Sequence, residues 1–296
     1  MFQKNEHIMF KQQVKQTILK VKNVSQLNDL ILNKVSTNEM DPKQTVIFFD
    51  LDLTVMDRDA IMSDLHPMER RKFIESLGKI DPSLVELAYS QAPYHLIEKE
   101  IAKVIQQFQE QGFIVLGFTS RRTGKAKIES ATFVEEDACS SLKDLGINFS
   151  AIDDKEFDIP EGSFQLENPN LLPYELVGKP KIFGHSFGTS TIFTANYPKG
   201  LILESVINYV NSQQNEIKSV IVIDDNIKYL QNLKEVCEKN RLAFSGLNYT
   251  YAHDNKKELN EDIISIQKQQ LIDKHVLLSD EKALSLLENT KLNSFT

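Results

Sequence analysis

The feature that most constrains this chain is a set of short, continuously apolar runs: TVIFF at 45–49, FIVLGF at 113–118 and SVIVI at 219–223, each cut off by polar residues. A strand with one wet face alternates apolar and polar side chains, so runs without alternation fit strands covered on both faces, as in a parallel sheet. Parallel strands need long crossovers, and the segments between these runs carry helical spacing. Residues 94–111 read as a helix ended by Gly112, and 125–145 as a helix stopped by Gly146. Two more helices are read from 200 to about 211 and over 227–241, with INFSAI at 147–152 as a further strand and LNYTYAH at 247–253 as an edge strand. This alternation predicts an α/β fold around a central parallel sheet.

Ahead of the first run, Ile8, Val14, Ile18, Leu19, Leu27, Leu30, Ile31 and Val35 recur at helical spacings, and Ser25 can cap a second helix. The expected organisation is an N-terminal helical extension over 1–40 and a core over 41–296. The stretch 153–188 is rich in Pro, Gly, Asn and Asp, and FGHSFGTSTIFTA at 183–195 alternates like a hairpin, giving an inserted flap over 153–190. Residues 255–290 read as helical and carry no recognisable chemistry; no internal repeat is present.

A chain of 296 residues with 41% hydrophobic side chains can bury a sizeable core. Lys and Arg number 34 against 42 Asp and Glu, and the net charge of -8 argues against a nucleic-acid backbone or an anionic membrane as partner. Positive charge for handling an anion must then be local. The two cysteines, Cys139 and Cys237, have no ligand-like spacing, which argues against a zinc site or a disulfide framework and fits a reducing compartment. No apolar run approaches the ~18 residues that cross a bilayer, and MFQKNEHIMFKQQVKQ lacks the apolar stretch of a secretory signal. The expectation is a cytoplasmic protein with no membrane span, whose polar tail NTKLNSFT is compatible with export by a route that needs no N-terminal signal.

In an open α/β sheet ligands bind beyond the carboxyl ends of the strands. The first run ends DLDLT, and with a side-chain period of two Asp50 and Asp52 leave the same face if the chain stays extended. Carboxylates so close repel each other, and a hard divalent cation with oxygen ligands, Mg²⁺ above all, relieves them. The second run ends at Thr119 and Ser120, hydroxyls able to hold a phosphate oxygen, followed by Arg121 and Arg122. The last ends at Asp224 and Asp225, which would complete an oxygen shell for the same ion, while Lys199, before Gly200 at a helix start, would neutralise nucleophile and phosphate.

The order DxDxT, an apolar strand ending in Thr, a Lys, and a strand ending in DD resembles the haloacid dehalogenase-like (HAD) superfamily of phosphatases over residues 46–226. Within it, FTSR and IFTANYPKG are similar to a poorly characterised, mostly bacterial branch. The resemblance implies a Rossmann-like core with a cap inserted over 57–93, and a Mg²⁺-dependent phosphohydrolase acting on a phosphomonoester. It makes Asp50 the nucleophile that forms an aspartyl-phosphate, Asp52 the general acid and base, Thr119 a phosphoryl-binding group and Lys199 its charge stabiliser. Ser120 and Arg121 would join Thr119 and Lys199 in binding substrate. The ion would be held by Asp50, the main-chain carbonyl of Asp52, and the Asp224/Asp225 pair. The family often adds an acid a few positions after its fourth motif; here DDNIKYL offers Asn226.

Lys179 and Lys181 are rivals for the role of Lys199, and Arg70, Arg71 and Lys72 form a basic cluster in the cap. The six histidines form no HxH or HExxH pattern, which argues for surface or core positions over metal ligation, and His185, in the flap, is the one to watch. Two other functions compete: a phosphate-receiving regulator, whose acidic pair would precede the phosphorylated Asp, and a catalytically silent HAD-like binding protein. The late DD argues against the first, and the presence of both Asp50 and Asp52 against the second.

Overall fold

The computed structural model of the chain describes residues 15–58, 60–124, 133–159, 178–213 and 216–293. In chain order the elements are β1 (Gln16–Val21), α1 (Val24–Ser36), β2 (Thr45–Phe49), β3 (Met56–Arg58), α2 (Pro67–Gly78), α3 (Pro82–Gln91), β4 (Tyr94–Leu96), α4 (Ile101–Glu110), β5 (Ile114–Thr119) and α5 (Val134–Asp144). There follow β6 (Lys155–Glu156), β7 (Lys181–Phe183), β8 (Thr191–Phe193), α6 (Lys199–Gln213), β9 (Ser219–Asp224), α7 (Ile227–Lys239), β10 (Ala243–Tyr249), α8 (Tyr251–Asp254), α9 (Glu261–Lys274) and α10 (Asp280–Asn293).

One sheet of order β1-β10-β9-β2-β5-β8-β7-β6 organises the molecule, and it is parallel from β1 to β8. Only β7 runs against its neighbours. This is a mixed α/β fold with a large, mostly parallel central sheet, compatible with a Rossmann-like arrangement. Leaving β2, the chain steps outward through β5 and β8, then crosses back to β9 on the other side of β2 and continues to β10. The strand order therefore reverses between β2 and β9, and the carboxyl ends of those two strands flank the crevice that such a reversal opens.

Continuous apolar runs are explained by burial on both faces. Ile47, Phe49, Val115, Ile221 and Ile223 point into one core with Leu27 and Ile31 of α1 and Ile101, Ile105 and Phe108 of α4. Their neighbours Val46, Phe48, Leu116, Phe118, Val220 and Val222 point into a second core with α6 and α7, through Ile202, Leu203, Val206, Leu230 and Leu233. Each such side chain, fully withdrawn from water, contributes about 1.5–3 kcal/mol before conformational entropy is subtracted.

Between β3 and β4, themselves an antiparallel pair, α2 and α3 leave the sheet. They build a separate small core in which Phe73, Leu77, Leu84 and Ala88 meet Leu271 and Leu277 from the α9 region. The helical 255–290 stretch thus packs on the α2–α3 unit. Asp81 starts α3 by accepting from Ser83 N at 2.8 Å, with Pro82 at the first helical position.

Several local expectations are corrected. Residues 16–21 are strand β1, parallel to β10, where helical spacing had predicted a helix, and the cap of α1 is Asn23, accepting from Gln26 N at 2.9 Å, in place of Ser25. The helix expected from 94 begins at Ile101, because Tyr94–Leu96 pairs with β3. INFSAI forms no ladder: the edge of β5 is taken by β8, so the segment is hydrogen-bonded to β5 through Ser150, which binds both the N–H and the C=O of Val115. LNYTYAH splits into the end of β10, inside the sheet between β1 and β9, and the short α8. The 183–195 hairpin exists, but as β7–β8 it continues the central sheet instead of standing apart as a flap. Residues 1–14, 125–132, 160–177 and 294–296, on which parts of the N-terminal, helical, flap and tail expectations fall, lie outside the described residues. Both cysteines are buried and unbridged.

Gly117 has a steric reason: a Cβ there would stand 2.6 Å from Thr191 Oγ1 and 2.9 Å from a Phe149 ring carbon. Gly117→Ala is expected to lower unfolding stability by about 1–3 kcal/mol through overpacking, read from urea denaturation. Adding Thr191→Ala should recover part of the loss; full additivity of the two changes would contradict the contact.

Candidate active site

The end of β2 is tied to β9, since Asp50 N donates to Ile223 O at 2.8 Å. Past it the chain turns sharply. Val55 N and Met56 N both donate to Leu51 O, at 2.9 and 3.0 Å, and Leu53 takes φ +61°. A leucine in the left-handed region is strained, and such strain persists only where surrounding contacts over-determine it; Leu51, Leu53 and Val55 are all buried.

Across β2, the end of β5 and the loop after β8 are laced together. Thr194 N, Ala195 N and Asn196 N donate to the carbonyls of Thr119, Arg121 and Ser120 at 3.0, 3.1 and 3.1 Å, with Ala195 and Asn196 both at positive φ. That lacing, with Thr194 Oγ1 donating to Tyr197 O at 2.7 Å, delivers the chain to the first turn of α6. Gly200 then admits α7: its N–H donates to Asn232 Oδ1 at 3.1 Å, and a Cβ would stand 2.2 Å from that oxygen. The KG pair is therefore a positioning device that points Lys199 inward.

Lys199 is 1% exposed, and its Nζ donates to Asp50 Oδ1 at 2.7 Å and to Asp224 Oδ2 at 2.6 Å. The ammonium also lies over the rings of Phe118 and Tyr229, at 5.4 and 5.1 Å from their centroids. Burial alone would lower its pKa; the Asp224 and Asp50 carboxylates more than offset this and hold it charged. The other candidate lysines are engaged elsewhere, Lys179 with Asp158 and Lys181 with Glu135, at 2.7 and 2.8 Å.

Asp50, Asp224 and Asp225 each present a carboxylate oxygen within 4.8 Å of the others. Burial pushes the Asp50 carboxyl well above its ordinary range; Lys199 opposes this, and Asp224, Asp225 and Asp52 add to it. Asp225 is raised by burial, against the hydrogen bond of His253 Nε2 to its Oδ2 at 2.8 Å. Three carboxylates around one ammonium leave the cluster short of positive charge, and an all-oxygen donor set suits a hard divalent cation. The bonds named use Oδ1 of Asp50 and Oδ2 of Asp225, so the second oxygen of each lies outside them. Asn226, the residue after the acidic pair, donates its N–H to Asp224 Oδ1 at 2.8 Å and caps α7 by accepting from Lys228 N.

Asp52 stands apart from the triad. Its carboxylate is clamped by Arg121, whose Nε and Nη2 donate to its two oxygens at 3.0 and 2.6 Å. Burial would raise the Asp52 pKa, but the Arg121 guanidinium reverses that and holds it below the usual range. The Asp52 carboxylate is therefore not one of the three that converge, and it is taken up by Arg121 instead. Thr119 is fully buried, its Oγ1 accepting from Arg121 N at 3.2 Å, and Ser120 follows it at the surface of the same crevice edge.

Three neighbours carried no sequence signal. His253 reaches Asp225 from α8, and Arg58 and Tyr94, a cross-strand pair of β3 and β4, stand beside Arg121, with Tyr94 facing both guanidiniums at 4.8 and 5.1 Å. Isolated histidines and strand-borne aromatics have no motif to betray them. His185 is half-exposed and lies 3.7 Å from Asp153; Arg70 pairs with Asp64 and Arg71 with Glu75, so none of these joins the cluster. A cleft of about 240 Å³ between α3 and α5, lined by Asp137, Ser141 and Asp144, touches the site only through Tyr94.

Lys199→Met should destabilise the chain by about 3–5 kcal/mol, because Asp50 and Asp224 lose their buried counter-charge. Asp224→Asn should be less harmful in that variant than in the wild type, as a double-mutant cycle in urea will read; simple additivity would deny the pair its coupling.

Among the described residues no helix is long and apolar enough to cross a membrane. No curated protein and no solved structure matches the chain. A family model described as a protein of unknown function, DUF2608, matches residues 20–284. With most of its length under that one model, the chain belongs to the DUF2608 family.

Proposed function

We propose that the protein is a Mg²⁺-dependent phosphohydrolase of the HAD-like kind, acting on a phosphomonoester through an aspartyl-phosphate on Asp50. The observation that carries this reading is the convergence of the Asp50, Asp224 and Asp225 carboxylates, two of them bonded to the buried Lys199, at the switch point of a parallel sheet. Strand-end placement, residue type and chain order then agree with one chemistry.

In this reading Asp50 attacks phosphorus and the ester P–O bond breaks. Asp52 gives a proton to the leaving oxygen, and Asp50 becomes an acyl phosphate. Water next attacks that phosphorus, Asp52 takes its proton, and inorganic phosphate departs with Asp50 restored. Thr119 and Ser120 donate to phosphoryl oxygens, and Lys199 balances charge on Asp50 throughout. Bound by Asp50, the main-chain carbonyl of Asp52 and the Asp224/Asp225 pair, Mg²⁺ would add positive charge against the phosphoryl oxygens. The bidentate Arg121 clamp keeps Asp52 ionised, the form that the water step uses; the proton-donating form requires that the substrate phosphoryl draw Arg121 away. The α2–α3 unit between β3 and β4 takes the part of a cap, an assignment supported by the approach of Arg58 and Tyr94 to Arg121.

The same clamp is the one observation that favours a second reading, a catalytically silent binding module. Turnover separates the two. Purified protein should hydrolyse phosphomonoesters with added Mg²⁺, lose the activity in EDTA and regain it on Mg²⁺ addition. Asp50→Asn should abolish turnover while circular dichroism stays native; turnover untouched by that change would falsify the nucleophile assignment. Phosphate binding without turnover of any ester would decide for the silent module.

Asp52→Asn should slow turnover by about 10²–10⁴-fold, the usual worth of a general acid. The loss should be greater for alkyl phosphates than for 4-nitrophenyl phosphate, whose leaving group needs no proton. Equal losses would leave Asp52 with only the task of anchoring Arg121.

A further inference from the structure

Arg58 is the charged group beside the site that the phosphoryl chemistry leaves unused. It follows the DLDLT turn directly, in β3, and faces the Tyr94 ring at 4.8 Å and the Tyr89 ring at 5.6 Å. Arg121 approaches the same Tyr94 ring at 5.1 Å, so two guanidiniums share one aromatic. Among the described residues, Arg121 grips the Asp52 carboxylate with two hydrogen bonds, and Arg58 adds its charge to the same carboxylate. The Nε of Arg58 is buried and has no hydrogen-bond partner among the described residues.

The acids nearest to Arg58 in sequence, among those described, are committed. Asp57 accepts from Ser63 and from Asp64 N, and Asp64 pairs with Arg70. Two like charges gathered on one ring, one of them with a buried donor and no acceptor, is an arrangement that an incoming anion completes. The β3–β4 ribbon fixes its place: Asp52 bridges to Met56, and Arg58 is the cross-strand partner of Tyr94.

We propose that Arg58, with Arg121 beside it on Tyr94, forms a second anion subsite next to the phosphoryl site. The substrate is then a phosphomonoester that carries another acidic group, a carboxylate or a second phosphate, on its alcohol portion. Asp137 and Asp144 line the cleft on the α5 side, where their charge opposes such a group. This inference rests on the phosphohydrolase reading, and the experiment separates the two.

Isothermal titration of the Asp50→Asn chain with Mg²⁺ would use alkyl phosphates, the matching ω-carboxyalkyl phosphates and the matching bisphosphates, in a series of increasing length. One length of the doubly acidic probes should bind about tenfold or more tightly than its alkyl counterpart, the worth of one charge-assisted bond. The carboxylate and bisphosphate arms identify which acid is preferred. Arg58→Met should bring that preference ratio close to one, and Arg58→Lys, which keeps the charge and loses the fork, should retain part of it; melting temperatures establish that both variants fold. A preference that survives Arg58→Met, or equal weakening of all probes at a constant ratio, assigns Arg58 to packing and overturns the subsite. Binding of every probe without preference also overturns the subsite but leaves the phosphoryl reading standing, whereas absence of binding by every phosphate removes both.

Discussion

A lysine ammonium withdrawn almost completely from water between Asp50 and Asp224 is the interaction on which the rest of the site depends. A buried charge is tolerated only when it is paired and hydrogen-bonded, and here the pairing joins three distant parts of the chain: the ends of β2 and β9 and the start of α6. Each is held by its own scaffold. The Asp50 N–H is locked to β9, Asp224 is fixed by Asn226 N, and Lys199 is set by the Gly200–Asn232 contact and the loop lacing before it. The carboxylates still outnumber the ammonium, so the cluster keeps an unmet demand for positive charge that geometry alone does not relieve.

The second ion pair of the crevice works differently. Arg121 and Asp52 are partly exposed and bidentate, so their union is strong in geometry yet open to competition by an anion that offers the same two-oxygen face. In the proposed reaction, a carboxylate that changes protonation state is held beside a cation that an incoming phosphoryl group can attract. Tyr94 extends this electropositive edge to Arg58 and ties it to the α2–α3 unit. The two ends of this edge are thereby connected through one short ribbon that begins a few residues after Asp50.

Legibility in the sequence followed the range of the interactions. The strands β2, β5 and β9 were readable because burial on both faces writes an unbroken apolar run, and α6 because Lys199 and Gly200 mark its start. Strand β1 was not readable: it exists through its ladder with residues more than two hundred positions later, and Val14 and Ile18 at a spacing of four mimic a helix. INFSAI looked like a strand because Ile147, Phe149 and Ile152 are buried, yet burial without a free sheet edge gives only a packed loop. In the site, Asp50, Thr119, Lys199, Asp224 and Asp225 were legible as strand-end and helix-start residues. His253, Arg58 and Tyr94 were not, since each is brought in by an element whose path no local pattern encodes.

By itself the sequence determined the inventory: which runs become buried parallel strands, which polar residues those strands carry at their carboxyl ends, and that a lysine followed by glycine opens a helix. Only the tertiary structure decided which of them touch. Engaging Lys179 and Lys181 with acids elsewhere, giving the Asp52 carboxylate to Arg121, and drawing His253 and Arg58 to the rim all depend on which elements the sheet sets side by side. The physical reason is range: backbone propensity and hydrophobic patterning act over a few residues, whereas desolvated ion pairs form only after the sheet has fixed distant strand ends a few ångströms apart.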